Sequence, residues 1–365
     1  MFTSGYNSGG FDLKKRFQLV TMQYRILTMR IFSARVAAVV CLMFASQTYC
    51  SNVFAQQGAA SKPLMLVTWF GAGAIALPAG HDWKPEMLTV YDKGTRPVAQ
   101  FSKGGTGLTA SFILFENLSG TPSAKGCRDD AINPILEHDA RLISKRADGE
   151  MKTTGGEILA ATSYLVDMSL SGGHHQHNLF GFAGSAKTCA EIHISSVVET
   201  PAEDDTMKAV LAEFQPDLSY QPNAVDYFRL ASLLFKNSPG LAAPYYKSSL
   251  DAMPNGASYV TSRRVTTDQL VMSLGMSGDI KDSRAVAEKA ITADPDYPIN
   301  YYNLACSDAE QGNATDAKTH LQQAVDRRAN VLKGESMPDP TKDDSILKLK
   351  KDKAFWAFVL TLPKN

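Results

Sequence analysis

His174-His175-Gln176-His177 is the densest group of metal-binding side chains in this 365-residue sequence. On an extended strand His175 and His177 share one face, with His174 in the turn after Gly172-Gly173. Imidazoles at such spacing bind zinc, copper or nickel, so His174, His175 and His177 form a candidate metal site. Glu191 or His193 would have to complete it through strand pairing, and the plainer reading is a polar hairpin tip. Other chemistry is thin. Ser123 lacks the G-x-S-x-G context of a nucleophile elbow. The run GAGAIALPAG (71–80) lacks the dinucleotide fingerprint. Asp129 and Asp130 suit a helix N-terminus better than a carboxylate dyad. Trp69 and Trp83 either mark a ligand cleft or pack in a core. With no nucleophile motif and no complete metal set, the expectation is a protein that is not an enzyme and carries no cofactor.

Compartment comes next. Residues 29–55 read MRIFSARVAAVVCLMFASQTYCSNVFA, with Arg30 and Arg35 before an apolar run from Val36 to Ala45 and Val53-Phe54-Ala55 at the end. This resembles a secretory signal peptide cut before Gln56. The run is too short to span a bilayer, so no stable membrane span is expected after cleavage. Periplasmic or secreted localisation follows, and Met29 is an alternative start, making residues 1–28 an extension. Removing residues 1–55 moves the formal charge from 0 to −5. A nucleic-acid binder needs a basic footprint, so nucleic acid is excluded as a partner. Of the cysteines beyond residue 55, Cys127 and Cys189 fall in one region and Cys306 in another. An oxidising compartment permits a Cys127–Cys189 disulfide, leaving Cys306 free; the alternative is three small apolar side chains.

After a short linker at 56–61, residues 62–217 alternate between strand and helix patterns. A first strand is expected in LMLVTWF (64–70). MLTVYD (87–92) and RPVAQFS (96–102) form a hairpin around Lys93-Gly94-Thr95, and LTASFILFE (108–116) is a central strand. A helix is expected over 127–143 with Pro134 at its start or kink, then a second hairpin from 156–168 and 177–184. In 189–197 Ala190, Ile192 and Ile194 face one way, and Glu191, His193 and Ser195 the other. An acidic helix starts at Pro201. The fold class is therefore α+β, an antiparallel sheet with packed helices. The layout ALPAGHDW…FSK…SFILFE…CRDDAINPIL…NLFGFAG…CAEIHISS…DDTMKAVLAEF is similar to the PsbP/Mog1-like superfamily over about half of the exported chain. That resemblance implies an α/β/α sandwich and a non-enzymatic role assisting other proteins.

Beyond residue 217 the periodicity changes. Leu270, Gly278 and Ala290 recur 34 residues later as Leu304, Gly312 and Ala324. That is the period of the tetratricopeptide repeat, a helix-turn-helix unit. Residues 298–328 match its pattern through Tyr301, Leu304, Ala305, Gly312, Ala317, Leu321 and Ala324, and residues 264–295 follow with Thr267 in place of a large residue. Residues 223–254 match if the inter-helix loop is one residue short. The resemblance implies an all-α repeat array over 223–328 whose first helices line a groove. Carried over, the groove positions are Val225, Phe228, Ser232 and Phe235, then Val265, Asp268, Met272 and Met276, then Tyr302, Cys306 and Glu310. Residues 329–365 read as a polar linker and an aromatic capping helix over the last repeat. The functional expectation is an exported interaction or scaffolding protein that binds an unknown protein or peptide, with docking of the N-terminal domain on the array as a competing occupant. The alternative is a metal- or small-ligand-binding protein using the N-terminal domain.

Overall fold

The computed structural model describes residues 64–168, 174–197 and 200–363. The described residues all belong to one compact unit. The export signal read at 29–55 lies outside the described residues.

Strand β3 (Trp83–Tyr91) passes through a tight turn at Asp92–Gly94 into β4 (Arg96–Lys103), the expected first hairpin. Gly94 has φ +99°, and a Cβ there would lie 2.8 Å from the Trp69 ring. Backbone and packing both demand glycine at this turn. β5 (Leu108–Glu116) pairs with β4 and leads to α1 (Ala124–Asp139), whose N-cap Ser123 accepts from the Gly126 amide at 2.9 Å. β6 (Ile143–Lys152), β7 (Ile158–Met168), β8 (His174–Gly184) and β9 (Thr188–Ser196) follow, then α2 (Pro201–Ala212). The strands β3 to β9 make one antiparallel sheet in the order β3-β4-β5-β9-β8-β7-β6.

Strand alternation places a helix on each side of this sheet. A Cβ on Gly184 would lie 2.7 Å from Cys127 Sγ in α1, whereas one on Gly181, on the opposite face, would run into Leu211 of α2. Beneath α1 lie Val98, Ile113, Phe115, Phe180, Phe182 and Cys189. Cys127 and Cys189 form a disulfide between α1 and β9, and Cys306 is a free thiol. A smaller sheet, β1 (Met65–Val67), β2 (Ala74–Ala76) and β10 (Pro216–Asp217), packs against β4 and β5 on the α2 side.

Sequence periodicity missed β6. The helix expected to reach residue 143 ends at Asp139, and a ten-residue edge strand begins at Ile143. Nearly all of its side chains are exposed, so no apolar alternation marks it. Charged Lys145, Arg146, Asp148 and Glu150 keep this edge from pairing further.

Six helices follow: α3 (Ala224–Phe235), α4 (Pro239–Ala252), α5 (Val260–Met276), α6 (Ile280–Ala293), α7 (Pro298–Glu310) and α8 (Ala314–Asp326). Each packs on the next. The 34-residue correspondence is physical. Gly278 and Gly312 both take positive φ, at 86° and 77°. Asp279 and Asn313 then cap α6 and α8, accepting from the amides of Asp282 and Asp316. Ala287 and Leu321 are buried at equivalent places. The single capping helix expected near the C-terminus is instead two short ones, α9 (Asp344–Leu347) and α10 (Lys353–Thr361), because Asp352 caps a fresh start.

Candidate functional site

Of the first helices of the pairs, α5 and α7 touch one another directly. Asn303 of α7 donates to the Asp268 carboxylate of α5 at 2.8 Å. Burial pushes the Asp268 carboxyl up to about 6, and the nearby Glu335 carboxylate adds to the rise. Arg264, one turn earlier on α5, grips Asp294 through two hydrogen bonds of 2.6 and 3.0 Å and lies over the Tyr297 ring.

The eleven expected groove residues do not share one environment. Met272 and Met276 are exposed, at 38% and 62%. Val225, Ser232, Phe235, Val265 and Asp268 are half-buried. Phe228 is packed in the core, edge-on to Tyr246 at 5.6 Å, so it does not line an open groove. Tyr302 is buried as well, in a cluster joined by Met337. Cys306 lies 3.7 Å from Asp343, and Glu310 accepts from Ser345 at 2.7 Å and from Lys348. Burial pushes the Cys306 thiol up, and Asp343 reinforces the shift. Burial also opposes charge on Glu310, but Lys348 and Ser345 outweigh it and hold the carboxyl below its usual range.

The α7 third of the face is therefore covered by the chain's own C-terminal segment. Its contacts, Tyr297 to Glu335 at 2.7 Å and those of Asp343, Ser345 and Lys348, had no signal in the sequence. They join residues 35 to 38 positions apart through a segment without periodicity. Contact with the sheet layers falls elsewhere. β1 and β3 touch α3, and Trp69 stands edge-on to Tyr245 of α4 at 5.1 Å. Trp69 and Trp83 do not form a common cleft, since Trp83 packs on Phe101 beneath Lys103.

The histidines do not converge. His174 opens β8 rather than sitting in the preceding turn. His175 lies opposite Asp167, and His177 pairs with Asp204 at the start of α2 at 2.7 Å. Glu191 and His193 are in register with Phe182 and Phe180, on the other face of β8, so strand pairing keeps them away from His175 and His177. His193 stacks on Phe180 at 4.1 Å and bonds Asn178 at 2.9 Å. Among the described residues no group of three or more His, Cys, Asp or Glu is placed to hold a metal ion.

No protein-family model matches this chain, and no curated protein matches it. Among solved structures it is similar to YrrB, a TPR protein with an unusual peptide-binding site, at TM-score 0.26 and 22% identity over 35% of this chain. The match spans 61% of that chain, less than two thirds of its length. A structure from Bacteroides thetaiotaomicron VPI-5482 gives TM-score 0.26 and 12% identity, over 55% of this chain and 75% of the other. The PsbP/Mog1-like resemblance finds no support among these matches. Among the described residues no helix is long and apolar enough to cross a membrane.

Proposed function

We propose that this chain is an exported protein-interaction protein whose three helix pairs form a tetratricopeptide-like array, with the face of α3, α5 and α7 docking an apolar segment of a partner protein. It performs no reaction and takes no cofactor. The observation that carries the reading is the pair of exposed methionines, Met272 and Met276, one turn apart on α5. Methionine is unbranched and polarisable, and suits surfaces that accept varied apolar side chains. They stand beside the Asp268–Asn303 contact that holds α5 to α7. Export rests on the Arg30-to-Ala55 pattern, and the expected test is an N-terminus at Gln56 in secreted or periplasmic material.

Replacing both Met272 and Met276 by Asp puts charge on the face without touching the core. Partner retention in affinity capture from the exported fraction should fall at least tenfold, with the thermal midpoint within about 2 °C of the parent, since exposed substitutions shift stability by only about 0.5 kcal/mol. Undiminished retention of every partner would remove α5 from the docking face.

A further inference from the structure

Between the last repeat helix and the cap, the chain crosses the face described above. Residues 331–343 contain turns but neither helix nor strand. Both ends are anchored. Asn330 donates to the Asp296 carbonyl at 3.1 Å, while Ile346, Leu349, Phe355 and Val359 are buried in the cluster that includes Ala317 and Leu321 of α8. Between the anchors the hold is mostly polar. Tyr297 donates to one Glu335 oxygen at 2.7 Å, and the Leu332 amide donates to the other at 2.9 Å. Cys306 approaches Asp343, and Met337 and Pro338 close a recess over Tyr302.

This arrangement differs from a cap. A cap covers the apolar end of an array with apolar side chains, as Phe355 and Val359 do. Residues 332–343 instead lie across α7 positions that belong to the docking face, and none of their side chains is fully buried. These hydrogen bonds are only partly buried and can be exchanged for bonds to water at modest net cost, so such a segment can lift while its anchors hold.

We infer that Leu332–Asp343 is a hinged strap that occupies the α7 third of the partner-binding face and is displaced when a partner of matching chemistry, an extended Met/Pro segment flanked by carboxylates, takes its place. This rests on the proposed docking face. The strap is itself the example of what fits: Glu335 answers the Tyr297 hydroxyl, and Met337-Pro338 covers Tyr302. Because it is tethered, its effective concentration is high, so it suppresses a free competitor until released.

The test uses the exported chain from Gln56 and a fluorescent peptide of residues 332–345, LKGESMPDPTKDDS. The double variant Glu335→Ala/Met337→Ala removes the strap's hold on Tyr297 and its cover over Tyr302 while leaving the Ile346–Leu349 anchor intact. Tyr297→Phe removes only the hydroxyl and serves if the double variant does not fold, read by hydrogen exchange alone because the peptide's Glu335 loses the same contact. Hydrogen exchange in 331–343 should accelerate at least tenfold, with α7 and α8 unchanged, and the peptide should bind the released variant at least tenfold tighter than the parent. Equal peptide affinity for parent and variant, or no binding despite accelerated exchange, overturns the strap. Exchange that stays at the parent rate in both variants overturns it too. Loss of the docking face itself is read separately, from the Met272/Met276 variant's partner retention, which the exchange measurement does not depend on.

Discussion

Desolvation makes the Asp268 position a poor place for a charge, and the Glu335 carboxylate of the strap adds to this against the opposing hydrogen bond from Asn303 of α7. The folded state therefore keeps its proton up to about pH 6, whereas a carboxyl in the unfolded chain loses it near 3.9. Folding favours the protonated form between these values. This group's contribution is fully present below about pH 4 and lost as pH rises through about 6. The expected size, discounted for partial exposure, is roughly 2 kcal/mol. Asp268→Asn should flatten the fall in urea stability between about pH 4 and 7, because the amide still accepts from Asn303. A variant with the parent's pH slope would show that Asp268 ionises normally. The sequence marked Asp268 as a groove position from its repeat register, but its protonation depends first on burial between packed helices and then on a carboxylate 67 residues away, neither of which has a local pattern.

At the scale of elements, the last two helix pairs are joined by one buried charge. Asp308 of α7 is fully buried and meets Arg284 of α6 and His320 Nδ1 of α8, the latter at 2.5 Å. A carboxylate taken out of water needs such partners, and removing it takes the buried partner from both Arg284, which keeps only Glu288 and Gln311, and His320. Asp308→Ala should cost about 3 kcal/mol in chemical denaturation, with Asp308→Asn costing less because it keeps the shape. A loss under about 0.5 kcal/mol would show the three side chains to be independent. This network was not legible, since Arg284, Asp308 and His320 read singly as polar residues on amphipathic helices. The helices themselves were legible, because the turn glycines Gly278 and Gly312 and buried positions such as Ala287 and Leu321 recur at a period set by helix length and turn length.

Across the whole molecule, sheet and helices belong to one compact unit of residues 57–365. Backbone bonds from Gly73 to Tyr220 and from Ala76 to Gln215 bring the chain back to the small sheet just before α3 starts. Trp69 extends the join by meeting Tyr245 edge-on and filling the space beside Gly94. Trp69→Ala should lower stability by about 2 kcal/mol, somewhat under a fully buried aromatic truncation because the ring is half-buried. The loss should appear as a shift of one transition, followed by far-ultraviolet dichroism and by fluorescence of the remaining tryptophans. Separate transitions for sheet and helices in the parent would show that the join does not couple them.

Local rules were enough for the elements with a clear period or cap. They identified the first hairpin, the strand at 108–116, the alternating strand at 189–197 and the helix pairs with their glycine turns. They also suggested the Cys127–Cys189 bond, which the fold realises by laying α1 across β9. Tertiary structure alone decided the rest. The exposed edge strand β6 carries no apolar alternation. The separation of His177 from His193 depends on which face of β8 each one meets, and so on strand register. The covering of Tyr302, Cys306 and Glu310 depends on the path of an irregular segment, which no periodicity encodes. Spacing along a helix or strand specifies its faces; what lies against a face is set by contacts between residues far apart in the chain.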